Sequence, residues 1–119
     1  MIKIVGDINL TDSYFDVGFG IGSQLQQGFD PFFRVPRQPE DCWIGNYEGV
    51  ASEASNQTGF AARQFRISPE YLNHLKHFDL YGLANNHAMQ HGDRAYSRTF
   101  DYLSSKGCKC FGSNEKNHN

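Results

Sequence analysis

The sequence predicts an α/β fold built on a largely parallel sheet. Short apolar runs end abruptly at Gly, Asp or Asn; amphipathic helical stretches lie between them; and the two signals alternate without repeat or low-complexity segment. At 119 residues the chain has room for one domain, since domains usually take ~100–200 residues. Val, Ile, Leu and Phe contribute 27 residues, placing the chain just above the ~20% below which chains tend to stay disordered. With 11 basic and 13 acidic residues the net charge is −2. That balance argues against a nucleic-acid-binding face and against a polybasic membrane anchor.

Met1–Val5 reads as a short buried strand stopped by Gly6-Asp7. Asn9 to Asp41 is dense in Gly and Pro and reads as loop, with a brief helix over Ser23–Gln27. Its Gly18-Phe19-Gly20-Ile21-Gly22 lacks the G-x-G-x-x-G spacing and any Walker lysine, so it is not a nucleotide loop. Cys42-Trp43-Ile44 is a second strand running into Gly45-Asn46-Tyr47-Glu48-Gly49, and Val50–Ala62 is polar, small and loop-like. Ser68-Pro69-Glu70 starts a helix, with Ser as cap, Pro at the first position and an acid in the first turn. Leu72, Leu75 and Phe78 supply its buried face, while His74 and His77 read as solvated. Asp79–Ala84 is the clearest strand and ends at Asn85-Asn86-His87. Asp93–Ser105 is a second helix with Tyr96, Phe100 and Leu103 at i, i+4 and i+7. Gly107 stops it and Lys109–Phe111 is the last strand.

No signal-peptide pattern opens the chain, and no apolar run is long enough to span a membrane, so a cytoplasmic location is expected. Cys42, Cys108 and Cys110 are odd in number and fit reduced thiols better than a disulfide framework. The C-x-C pair is a poor metal motif by itself, and the sequon at Asn56 reads as coincidence. His87 and His91 are four apart, but without the acid of H-E-x-x-H they do not make a zinc-protease helix. Glu40-Asp41 and Glu53 read as exposed loop acids, and Glu115–Asn119, within the polar tail Ser113–Asn119, as a frayed end.

Chemistry concentrates where predicted strands end. Asp7 with Asn9, Asn46 with Glu48, and Asn85-Asn86-His87 each follow a strand, and in open α/β sheets ligands collect at such carboxyl ends. Oxygen donors with one imidazole suit a divalent cation such as Mn, Mg, Fe or Zn. Taken singly, each cluster also reads as turn chemistry: Gly6-Asp7 as a turn, Asn85-Asn86 as left-handed backbone, His87 as a structural histidine.

With those residues in view, the chain resembles the bacterial capsule synthesis (CapA, poly-γ-glutamate capsule) family, a branch of the calcineurin-like metallophosphoesterases. The matching stretches are V-G-D-I-N-L at Val5–Leu10, D-C-W-I-G-N-Y-E-G at Asp41–Gly49 and L-A-N-N-H-A-M-Q-H-G at Leu83–Gly92. T-F-D-Y-L-S-S-K-G and F-G-S-N, further on, are also similar to the family's helix and next strand. The resemblance implies an αββα sandwich holding two divalent cations. It implies that Asp7, Glu48 and Asn86 are metal ligands, Glu48 shared between the two ions, and that His87 assists the leaving group. Asn9 stands in place of the histidine of D-x-H; Asn9, Asn46 and Asn85 are candidates for the surrounding shell. Gln90 stands where an acid often precedes the glycine, and is assigned no catalytic role.

The resemblance further implies a phosphorylated or polymer-related substrate and a role in capsule, poly-γ-glutamate or exopolysaccharide synthesis, beside other capsule-synthesis proteins. After His91 the chain has only His118, with no H-W-G-like or G-x-H-x-H-like stretch. The expectation is therefore the N-terminal portion of the domain. A non-catalytic accessory or scaffold protein, and an inactive truncated fragment, are the alternatives.

Overall fold

The computed structural model describes residues 1–112; the tail read as a frayed end, His118 included, lies outside them. Six short strands and two α-helices follow in the order β1 (Ile2–Ile8), α1 (Ile21–Gln26), β2 (Cys42–Tyr47), β3 (Val50–Ala51), β4 (Arg66–Ile67), β5 (Leu80–Gly82), α2 (Asp93–Ser105) and β6 (Lys109–Phe111). Strands β1, β2, β5 and β6 form one sheet in that spatial order, every pair parallel, so the α/β expectation holds. Helix α2 has the expected bounds, with Tyr96 and Leu103 buried and Phe100 packed against the core.

Other elements differ from expectation. β1 runs through Gly6-Asp7 instead of stopping before them, and β2 continues to Tyr47, because pairing with a neighbour sustains extended backbone past a local turn signal. Val50–Ala62 is not all loop: β3 pairs in parallel with β4, and Gly59–Arg63 winds into a 3-10 turn. The Ser68-Pro69-Glu70 start leads into a 3-10 turn over Pro69–His74, with no side-chain cap bond from Ser68. Leu72, Leu75 and Phe78 recur every third residue and are all buried. Only Leu72 lies within that turn; Leu75 caps it and Phe78 follows beyond its end, so these core residues come from a turn and the loop after it, not from one helical face.

His77 is not on a solvated face: its Nε2 donates to the Val35 carbonyl at 2.7 Å and its ring lies against Phe32 and Trp43. Asp41 is buried rather than exposed, its carboxylate accepting from the Gln38 N–H at 3.0 Å. The three cysteines are free thiols, and burial pushes Cys110 up to about 11, so it stays protonated near neutrality.

Thr99 of α2 hydrogen-bonds to the small β3–β4 ladder. Buried Thr99 accepts the Ala51 N–H at 2.8 Å and donates to the Ala95 carbonyl at 2.9 Å, so its hydroxyl serves the edge of β3 that no strand covers. Replacing Thr99 by Val keeps the shape but strands that N–H. The expected cost is about 1–3 kcal/mol in urea unfolding, larger than for Thr99→Ser.

Each parallel crossover in the main sheet steps the same way, which puts the connections on one face. That face carries Trp43, Tyr47 and Tyr81, buried with Leu72, Leu75, Phe78 and Leu103. By register, Ile2, Ile4, Cys42, Ile44, Leu80, Lys109 and Phe111 share the opposite face. Ile2 is 67%, Ile4 77% and Phe111 50% exposed. An apolar sheet face this open marks a surface that needs a cover. The 119-residue chain is therefore expected to enhance ANS fluorescence in its folded state, and a double Ile4→Thr, Phe111→Thr change is expected to reduce that signal.

Candidate functional site

The carboxyl ends of β1, β2 and β5 lie side by side, and a register slip aims the first candidate ligand. Ile4 pairs with Ile44 but Asp7 with Asn46, so β1 carries one extra residue between Ile4 and Asp7. Bulges of this kind re-aim side chains. Strict alternation would send Asp7 to the face opposite Ile4. The slip instead places it opposite Asn46, on the open face, while Ile8 turns into the core. Gly6, at the slip, has no neighbour within 4 Å of where a Cβ would stand.

From Asp7 a line of hydrogen bonds crosses three strand ends. Asn46 Nδ2 donates to Asp7 Oδ1 at 2.6 Å, and Asn85 Nδ2 to Asn46 Oδ1 at 3.2 Å. The same Asn85 amide reaches the Tyr47 carbonyl at 2.8 Å, and its Oδ1 accepts the His87 N–H at 3.0 Å. Both amides of Asn46 and Asn85 thus act as spacers between the charged groups. Glu48 is held by its own N–H, which donates to the Ile8 carbonyl at 2.9 Å. Its carboxyl is pushed above the usual carboxylate range, first by burial and then by a hydrogen bond and charge repulsion from Asp7, with His87 opposing.

A carboxyl with a raised folded pKa binds more protons folded than unfolded across the window between its two pKa values. Stability of the metal-free chain should therefore fall as pH rises above 4.5, Glu48's unperturbed value, toward its folded pKa. A series of urea midpoints against pH checks this, and Glu48→Gln should flatten that slope.

His87 is fixed by two contacts. Its Nδ1–H donates to Gln90 Oε1 at 2.7 Å, leaving Nε2 to accept from Asn86 Nδ2 at 3.2 Å, an assignment that follows from the amide orientations. The Phe65 ring stacks on the imidazole at 3.7 Å between centroids and 9° between planes. Asn86 itself is exposed beside them. Asn9 spends its Oδ1 locally, on Thr11 N at 3.0 Å and Thr11 Oγ1 at 2.6 Å. His91 serves structure: buried, it donates from Nε2 to the Gln64 carbonyl at 2.6 Å and accepts at Nδ1 from Ser55 Oγ at 2.7 Å. Phe65 is a site residue that sequence reasoning missed, being 22 positions from His87 and lacking any motif. Gln90, three residues on, holds His87 although the sequence assigns it no catalytic role.

Among the described residues no group of three or more His, Cys, Asp and Glu side chains could hold a metal ion. What the site does offer is a pair of carboxylates held against each other's repulsion. A divalent cation between them would relieve that repulsion, and oxygen donors of this kind suit a hard ion. Two clefts of about 520 Å³ lie elsewhere, one lined by Glu70, Arg98 and Tyr102, the other by Leu72, Lys106 and Cys108. Neither touches Asp7, Glu48 or His87.

The family model for bacterial capsule synthesis protein PGA_cap matches residues 1–119, the whole chain. The chain belongs to the PGA_cap family. Its function is thereby related to capsule synthesis, and the parallel sheet with its helices is consistent with a metallophosphoesterase-like α/β fold. A comparison with curated proteins returned no match. Among the described residues of this PGA_cap member, no helix is long and apolar enough to cross a membrane.

Proposed function

We propose that this chain carries the first part of a metal-dependent phosphoester-hydrolysing site that serves capsule-polymer synthesis, poly-γ-glutamate or exopolysaccharide. The observation that carries the reading is the hydrogen-bonded line from Asp7 through Asn46 and Asn85 to His87, with Glu48 pressed against Asp7. Asp7, Glu48 and the Asn86 carboxamide oxygen would hold a divalent cation (Mn, Fe, Zn or Mg), with a second ion in the finished domain. Such a cation supplies Lewis acidity toward phosphoryl oxygens and acidifies water. The chain's own contribution is geometric. Asn46 and Asn85 keep the carboxylate end and the imidazole end at a set spacing. His87, with Gln90 on Nδ1, presents Nε2 toward Asn86, where an imidazolium form could give its proton to a departing alkoxide. The substrate class is a phosphorylated or polymer-related molecule, and other capsule-synthesis proteins are candidate partners.

The open sheet face supports a further part of the reading. Asp7 and Asn46 stand at one end of that face, so whatever packs over it can also bring ligands to the site. The chain is thus read as the N-terminal portion of a sandwich whose second sheet completes the shell. Metal content of the whole protein tests the assignment: Asp7→Ala, Glu48→Ala and Asn86→Ala should each lower bound Mn, and unchanged content in all three sinks it.

A non-catalytic accessory role is the second reading, favoured by the carboxamides of Asn9 and Gln90 where the related motifs carry a histidine and an acid. Hydrolysis of a generic phosphodiester with added Mn separates the two. Turnover that disappears in His87→Ala excludes the accessory role.

A further inference from the structure

We propose that Phe65 is the positioning residue of this site, holding the His87 imidazole flat against its ring and tying it to the Glu48 turn. The inference rests on the reading of His87 as the working histidine. Phe65 is the only non-glycine among the described residues with a positive φ, 56°. A left-handed backbone is rare for a bulky side chain and persists only where the surroundings over-determine it. Hydrophobic burial does not explain it, because Phe65 is only half-buried and stands outside the hydrophobic core.

Two contacts account for the conformation. On the side-chain side, the ring lies parallel to His87 at 3.7 Å, whereas the Trp43 and Tyr47 rings meet their aromatic neighbours edge-on and Phe32 meets His77 at 35°. The hydrogen bonds to Gln90 at Nδ1 and from Asn86 at Nε2 set the heading of the imidazole within its own plane but give its faces no support. The stacked ring supplies that support, so the three contacts together fix the direction of Nε2. On the backbone side, the Phe65 carbonyl accepts the Val50 N–H at 2.8 Å, directly after Glu48-Gly49. The close approach is possible because Gly49 has no side chain: a Cβ there would stand 2.6 Å from that carbonyl oxygen. One strained residue therefore joins the carboxylate end of the site to the imidazole end.

The test uses the full chain with Mg, reading the His87 ring protons by NMR after assignment with His87→Gln. The ring protons should lie upfield in the parent, move toward unstacked positions in Phe65→Leu, and stay upfield in Phe65→Tyr. With Mn and a phosphodiester bearing a poor leaving alcohol, Phe65→Leu should lower kcat by about 10–100-fold with KM little changed, as expected for a misplaced group. Phe65→Tyr should restore the rate. In the His87→Gln background Phe65→Leu should cost nothing more, since both act through one group. Unmoved His87 resonances in Phe65→Leu, or fully additive losses in the double variant, overturn the proposal. If the parent shows no turnover, the phosphoesterase reading falls and the NMR comparison alone decides the role of Phe65.

Discussion

Gly49→Ala is expected to destabilise this chain through a backbone clash beside the site. Gly49 has φ +135°, and the added Cβ would meet the Phe65 carbonyl oxygen at 2.6 Å and its carbon at 3.3 Å. The obstacle is backbone, so no rotamer change relieves it. Either Gly49 leaves its left-handed conformation or Phe65 withdraws, and withdrawal breaks the Val50-to-Phe65 bond that opens the β3–β4 ladder. Strain of this kind costs about 1–3 kcal/mol, and the lost bond adds about 1 kcal/mol. Urea or thermal unfolding of Gly49→Ala measures the sum. A midpoint within error of the parent would show that the Glu48 turn and Phe65 are not in contact.

Glu48→Gln is expected to move two measurements in opposite directions. Without metal, Glu48 is disfavoured as an anion by burial and by Asp7 beside it, so neutralising it should raise the unfolding midpoint at neutral pH. With Mn the sign reverses, because a neutral amide is a poorer ligand for a hard cation than a carboxylate. Affinity should fall by at least the ~10–100-fold that loss of a partner outside the ligand shell costs. Calorimetric titration and metal-free denaturation on the same preparation check both arms. A lower midpoint with unchanged Mn affinity would mean that the carboxylate pair is not a cation site.

Much of the scaffold was legible because its signals are local. The helix Asp93–Ser105 declares itself through a first-turn acid, apolar residues at helical spacing and Gly107 beyond its end. The polar residues after each strand were readable for the same reason, and the structure does bring Asp7, Asn46, Asn85 and His87 into one hydrogen-bonded line. The failures have a common cause as well. Gly6-Asp7 looks like a turn when read alone, yet pairing with β2 carries β1 through it. The start at Ser68-Pro69 reads as an α-helix, but the chain makes only a 3-10 turn over Pro69–His74, and Leu75 and Phe78 reach the core from beyond its end.

By itself the sequence determined the fold class, the order of elements and which residue types gather at the strand ends, since all of these follow from periodicity and turn chemistry within a few residues. Only the tertiary structure decided where those residues point. The slip between Ile4 and Asp7 turns Asp7 to the open face, Phe65 reaches His87 across 22 positions, and Asn46 meets Asp7 across 39. Such contacts depend on strand register and on backbone strain supported from several sides, and no short stretch of chain encodes either. The bare face of Ile2, Ile4 and Phe111 belongs with them: each residue is an ordinary strand apolar in sequence, and only the one-way stepping of the sheet leaves all three uncovered.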